Sequence, residues 1–167
     1  MKGTIIMTKE LSGVYSEWKF LRSNTIEMIK EFGDDKMDIL LSRPELNSFK
    51  KHFLEMINVQ ESYSKAILSR KMTFSDIKDN DDFNDEISSK ELLSRIEHTD
   101  RIMKERLENA AHDLVIEYED GPKTLTSHLC ALNSHEVFHI GQLVGFCYAQ
   151  NIEIPKYVVE AWALSTQ

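Results

Sequence analysis

The sequence predicts an all-α protein, a four-helix bundle closed by a short C-terminal helix, and three observations predict it. Apolar residues recur every three or four positions in four long stretches. Only three prolines and six glycines fall among 167 residues, so those stretches run unbroken. The connections differ in length, and the longest lies between the second and third stretches, which fits a bundle with one long crossover there.

The first helix is expected over 8 to 32, with Leu11, Tyr15, Trp18, Leu21, Thr25, Met28, Ile29 and Phe32 on one stripe and Gly33 as its stop. The second is expected from Pro44 to about 70, with Ser42 near its start as a cap. Its stripe runs Phe49, His52, Phe53, Met56, Val59, Tyr63, Ala66 and Ile67. The third covers about 88 to 111 through Leu92, Ile96, Thr99, Met103, Leu107 and Ala110. Ser88 or Ser89 caps it, and Glu91 stands at the capping-box position of Ser88. Asp120-Gly121-Pro122 marks a turn before the fourth helix, 124 to 150, whose stripe holds Leu125, His128, Leu132, His135, His139, Leu143 and Phe146. After Pro155 the apolar piece from Tyr157 to Trp162 makes one or two closing turns. Leu114 to Tyr118 reads as an extended connection rather than a strand, and the short link after the third helix sets the third and fourth antiparallel.

The length fits a single domain, 1–167, able to bury a core without staples. A net charge of −8, with no run of Lys or Arg, argues against a nucleic-acid partner. The stretch Met1 to Lys9 is too weakly apolar for a signal peptide, and nowhere do eighteen apolar residues run together, so no membrane span is expected. Cys130 and Cys147 fall on one helix roughly 25 Å apart, beyond disulfide reach, and read as reduced, buried thiols of a cytoplasmic protein. Asp76, Asp79, Asp81, Asp82, Asp85 and Glu86 lack the glycine and the ligand spacing of a calcium loop and read as a solvated linker.

The histidines carry the chemistry. His135 and His139 are four apart, so both imidazoles share one helix face and can approach one cation. His52 stands among Phe49, Phe53, Met56 and Tyr63 on the core face of the second helix. Alone it reads as a core histidine bonded to a carbonyl or a water. Beside two inward imidazoles on a facing helix it becomes a third metal ligand, because three unpaired rings in one core are costly to bury. His128 lies seven residues from His135, too far to share the ion, and is expected at a pocket rim or partly exposed; His98 and His112 are expected at the surface.

His135-Glu136-Val137-Phe138-His139-Ile140-Gly141-Gln142 resembles the HExxHxGQ signature of the DinB/YfiT-like superfamily. The resemblance extends to the proline-led second helix carrying His52, the glycine turn before the last long helix, and the Glu153-Ile154-Pro155 ending. Ile140 occupies a position where that family often has arginine. The resemblance implies an up-down-down-up bundle, a metal centre of His52, His135 and His139 binding nickel or zinc, and a homodimer. It also implies thiol-dependent chemistry, as in low-molecular-weight thiol S-transferases and a mycothiol-dependent isomerase.

The resulting expectation is a metal-dependent enzyme that activates a small thiol or water. Gln142 would donate a hydrogen bond next to the ligands. Glu136 points about 100° from His135, which argues against direct ligation; it orients a ligand, accepts a proton, or makes a surface or inter-helix salt bridge. Two other readings stand beside it. In one the metal only braces a non-catalytic stress-response or binding module. In the other the chain is an HExxH zinc peptidase using His135, Glu136 and His139 with Glu160 as the third ligand.

Overall fold

The computed structural model describes residues 7–74 and 86–165. The leader reading over 1–6 and nearly all of the acidic segment, 76–85, lie outside the described residues. Helix α1 spans Lys9–Met37, α2 Phe49–Ser69, α3 Ser89–Asn109, α4 Leu125–Gln150 and α5 Lys156–Trp162. A two-stranded hairpin, β1 Val115–Tyr118 and β2 Gly121–Thr124, joins α3 to α4.

Side-chain pairs along the helices fix the topology. Arg95 reaches Asn58, Gln60 reaches Asp100 and Arg106 reaches Ser64, so α2 and α3 run parallel. His52 meets His139 while His128 meets the carbonyl of Tyr63, so α2 and α4 run antiparallel. Asp34 accepts from the Ser89 amide and Arg22 pairs with Asp100, so α1 and α3 are antiparallel. The result is up-down-down-up. A parallel α2–α3 pair requires the long crossover, because the chain must return the length of the bundle before α3 begins. The third and fourth helices are antiparallel in direction but stand on a diagonal, with α1 and α2 between them.

Caps decide the boundaries. Thr8, Ser48, Ser88 and Thr124 each accept a backbone N–H from the first turn of the helix that follows, and Ser88 with Glu91 forms the full capping box. The second helix therefore begins at Phe49, not near Pro44. The Leu41 amide bonds the Asn47 carbonyl, closing a loop around Pro44 that buries Leu41 and Leu46, and Ser48 rather than Ser42 is the cap. Gly33 breaks α1 as expected, with φ 54° and ψ −167°, but four more helical residues follow it. That backbone region is open essentially to glycine alone.

The expected extended connection is a strand. Val115–Tyr118 pairs antiparallel with Gly121–Thr124 across a two-residue turn, with Gly121 at φ 114°. The pair adds a rung to the end of α2, because Met72 N–H bonds the Glu117 carbonyl and Glu117 N–H bonds that of Arg70. Ile116 and Tyr118 turn inward while Val115 and Glu117 face solvent.

The core divides into two apolar clusters. One, toward the hairpin, gathers Trp18, Tyr63, Met103, Leu107, Ile116, Leu125 and Leu129. The other, toward α5, gathers Met28, Phe32, Phe49, Phe53, Leu92, Ile140, Leu143 and Val158. Between them all four long helices contribute to a buried polar layer. Arg22 Nη2 donates to Gln60 Oε1 at 2.9 Å, Gln60 Nε2 to Asp100 Oδ1 at 2.7 Å, and Thr99 Oγ1 to Gln60 Oε1 at 2.8 Å. Arg22 also stacks on the Trp18 ring, 4.4 Å from its centroid. No helix among the described residues is long and apolar enough to cross a membrane.

Candidate metal centre

The site lies where α2 and α4 pass antiparallel, on the side of α4 away from the polar layer. Spacing on each helix brings two groups there: His52 and Glu55 are three apart on α2, His135 and His139 four apart on α4. His139 is buried, whereas His135 and Glu55 each keep about 24% of their side chains exposed. Solvent reaches the centre from that side.

Three candidate ligand residues converge. His139 Nε2 lies 3.1 Å from His135 Nε2 and 3.4 Å from Glu55 Oε2, and His135 Nε2 lies 3.9 Å from Glu55 Oε1. A cation about 2.1 Å from each of its ligands holds adjacent ones roughly 3.0–3.5 Å apart. Two of these spacings fall in that range, and the third, to the other oxygen of the Glu55 carboxylate, is slightly wide. Among the described residues Glu55 Oε2 is buried and makes no hydrogen bond, which leaves a carboxylate oxygen facing His139 Nε2 while Oε1 faces His135. The donor set therefore fits a divalent cation.

His52 stands elsewhere on the same ring. Its Nδ1 is 3.0 Å from Nδ1 of His139, the nitrogen on the opposite edge from the one that faces His135. One ion cannot occupy both nitrogens of one imidazole. The structure brings all three sequence-predicted histidines into a chain, but the group that could surround an ion is Glu55, His135 and His139, with His52 behind it. Sequence reasoning missed Glu55. The signal was available: it sits one turn beyond His52 on the same face of α2.

Electrostatics keep the rings in the form that ligates. Burial pushes the His139 imidazole down to about 3 and the His52 imidazole to about 4, so both are neutral near pH 7. Burial pushes the Glu55 carboxyl up, but its contacts with His135, His139 and Arg43 outweigh that and leave it below the ordinary value. Arg43 hydrogen-bonds Gln142 Oε1 at 3.0 Å. Gln142 thus touches the Arg43 guanidinium that borders the site rather than a ligand.

Glu136 turns the other way. It is fully buried against α1, accepts from Thr25 Oγ1 and pairs with Arg22 Nη1 at 3.3 Å. Burial raises its pKa, offset in part by Arg22 and Thr25. Of its expected roles it takes the inter-helix salt bridge, and it neither orients a histidine nor stands as a general base beside them. Glu160 is exposed on α5 and pairs with Lys156, so the zinc-peptidase constellation does not assemble.

Other expectations are corrected by burial. His128 is neither rim nor surface: it is 1% exposed, bonded to the Tyr118 hydroxyl at Nδ1 and to the Tyr63 carbonyl at Nε2. His98 and His112 are exposed as expected. Cys147 is buried, which pushes its thiol up to about 11, but Cys130 is exposed. Ile140 packs in the apolar cluster toward α5. No protein-family model matches the chain, and a comparison with curated proteins finds no match.

Proposed function

We propose that the protein is a metal-dependent enzyme, similar to DinB/YfiT-like proteins, that binds one divalent cation at Glu55, His135 and His139 and activates a small thiol or a water. The observation that carries the reading is the meeting of two Nε2 atoms, 3.1 Å apart, with the Glu55 carboxylate, whose buried Oε2 stands 3.4 Å from one of them. When bound, the ion would supply a Lewis acid that lowers the pKa of a thiol or water placed beside it. Three protein ligands leave a position open, as catalytic rather than structural sites do. The partial exposure of His135 and Glu55 gives a small molecule a way in, and this favours the enzyme over the metal-braced module. Arg43 and Gln142 border the same side and suit an anionic group on the substrate.

Nickel and zinc are the first metals to test, and a low-molecular-weight thiol the first co-substrate. A homodimer in a cytoplasmic setting belongs to the same proposal. Purified protein is expected to carry one metal per chain by elemental analysis. Glu55→Gln, His135→Ala and His139→Ala should each lower that content severely. A wild-type protein that takes up no zinc, nickel, manganese or iron(II) in calorimetric titration would remove the reading altogether.

A further inference from the structure

We propose that His52 is a positioning residue, which fixes His139 as a ligand by accepting a hydrogen bond from its Nδ1–H. The inference rests on the proposed cation site. It changes the role of the third histidine from metal ligand to the group behind a ligand.

Proton bookkeeping requires it. The two rings face each other through Nδ1 atoms 3.0 Å apart, so one ring carries its proton on Nδ1 and the other presents a lone pair there. A cation on His139 Nε2 needs the lone pair at that nitrogen, which sends the His139 proton to Nδ1. His52 Nδ1 must then be the acceptor, and the proton of His52 resides on Nε2. No other tautomer pair satisfies both the ion and the hydrogen bond. The surroundings of His52 suit it to that role. It is fully buried, edge-on to the His139 ring and to Phe146, with the Leu46 backbone beside it. Its ring has little freedom to turn away.

In the metal-free protein His139 Nε2 faces both His135 Nε2 at 3.1 Å and Glu55 Oε2 at 3.4 Å, so it can accept from the one or donate to the other. A cation on that nitrogen leaves only the arrangement in which His52 accepts. Among the described residues His135 has no such group behind it, its buried Nδ1 making no hydrogen bond.

Two measurements test this. Long-range nitrogen–proton correlation spectra of ¹⁵N-histidine-labelled wild-type protein, with and without zinc, report the tautomers directly. Expected with zinc is His139 in the Nδ1–H form and His52 in the Nε2–H form. A zinc-shifted Nε2 signal from His52 itself would overturn the proposal and make it a ligand. Second, zinc affinity and the cobalt(II) absorption spectrum are compared for His52→Asn, which keeps an acceptor near the Nδ1 position, and His52→Leu, which does not. His52→Leu should keep one metal per chain with affinity weakened about 10–100-fold, as for other groups that hold a ligand from behind. His52→Asn should recover most of that loss, and both should leave the cobalt bands of the wild type. Metal loss in both variants as complete as in His135→Ala would overturn the proposal, as would wild-type affinity in His52→Leu. If wild-type protein binds no metal, the cation site has failed instead, which the same titration shows.

Discussion

Single residues in this protein differ sharply according to which side of a helix they occupy. His135 and Glu136 are neighbours in the chain, yet one faces solvent beside Glu55 and the other is sealed against Arg22. His128, two turns along α4 from His135, is held neutral by burial, with its pKa pushed down to about 4. Its ordinary value is 6.5, so above pH 6.5 neither the folded nor the unfolded chain protonates this ring. Between 6.5 and about 4 only the unfolded chain takes the proton, so stability falls as pH falls. At pH 5 His128 should account for about 2 kcal/mol of lost stability. Urea melts at pH 7.5 and 5 are expected to show a flatter pH dependence for His128→Gln than for wild type, although the variant begins less stable.

At the scale of an element, α1 shows how a break is built. Gly33 has φ 54° and ψ −167°, and nothing crowds the place where a Cβ would stand. A Gly33→Ala substitution is therefore a test of backbone strain rather than of packing. It should cost about 1–3 kcal/mol in denaturant melts, with the helical circular dichroism of the native state kept. An unchanged midpoint would mean the kink relaxes into a continuous helix. Legibility also varies by element. The α3 boundary was readable because Ser88 and Glu91 settle it with local hydrogen bonds. The α2 start was not, because the loop from Leu41 to Asn47 is closed by a contact with the core that no local signal announces. The β1–β2 hairpin was missed for a similar reason: four residues on each side are too few to show alternation, and part of its support comes from the end of α2.

On the scale of the whole molecule, the polar layer ties the four long helices together and sets their register. Arg22 is 2% exposed and Glu136 fully buried, with Asp100, Gln60, Thr25 and Thr99 completing the group. Removing one member of a buried ion pair strands the other, so Arg22→Met should destabilise by about 3–5 kcal/mol. The double variant Arg22→Met with Glu136→Gln should cost less than the sum of the two single changes, by a coupling of about 0.5–3 kcal/mol. Equal costs, simply added, would mean the two groups do not interact. Metal should act on the same global equilibrium. At a free concentration 100 times its dissociation constant, zinc adds about 2.7 kcal/mol to folding. For a chain of this size that corresponds to a melting temperature raised by about 5–10 °C. Glu55→Gln should abolish the rise while remaining folded.

The sequence by itself determined what local periodicity can carry: four long helices, their apolar faces, the long crossover, and His135 with His139 on one face. Those features follow from residues three, four or seven apart, where the helix alone dictates who is neighbour to whom. Tertiary structure decided what depends on the rotation of one helix against another. It turned Glu136 into the Arg22 layer, set Glu55 rather than His52 opposite the His135–His139 edge, and buried His128 between two tyrosines. Periodicity shows that a residue faces inward. Which nitrogen of a buried ring meets which partner is fixed only when α2 and α4 pack, because a few tens of degrees of rotation change which side chain of α2 faces it.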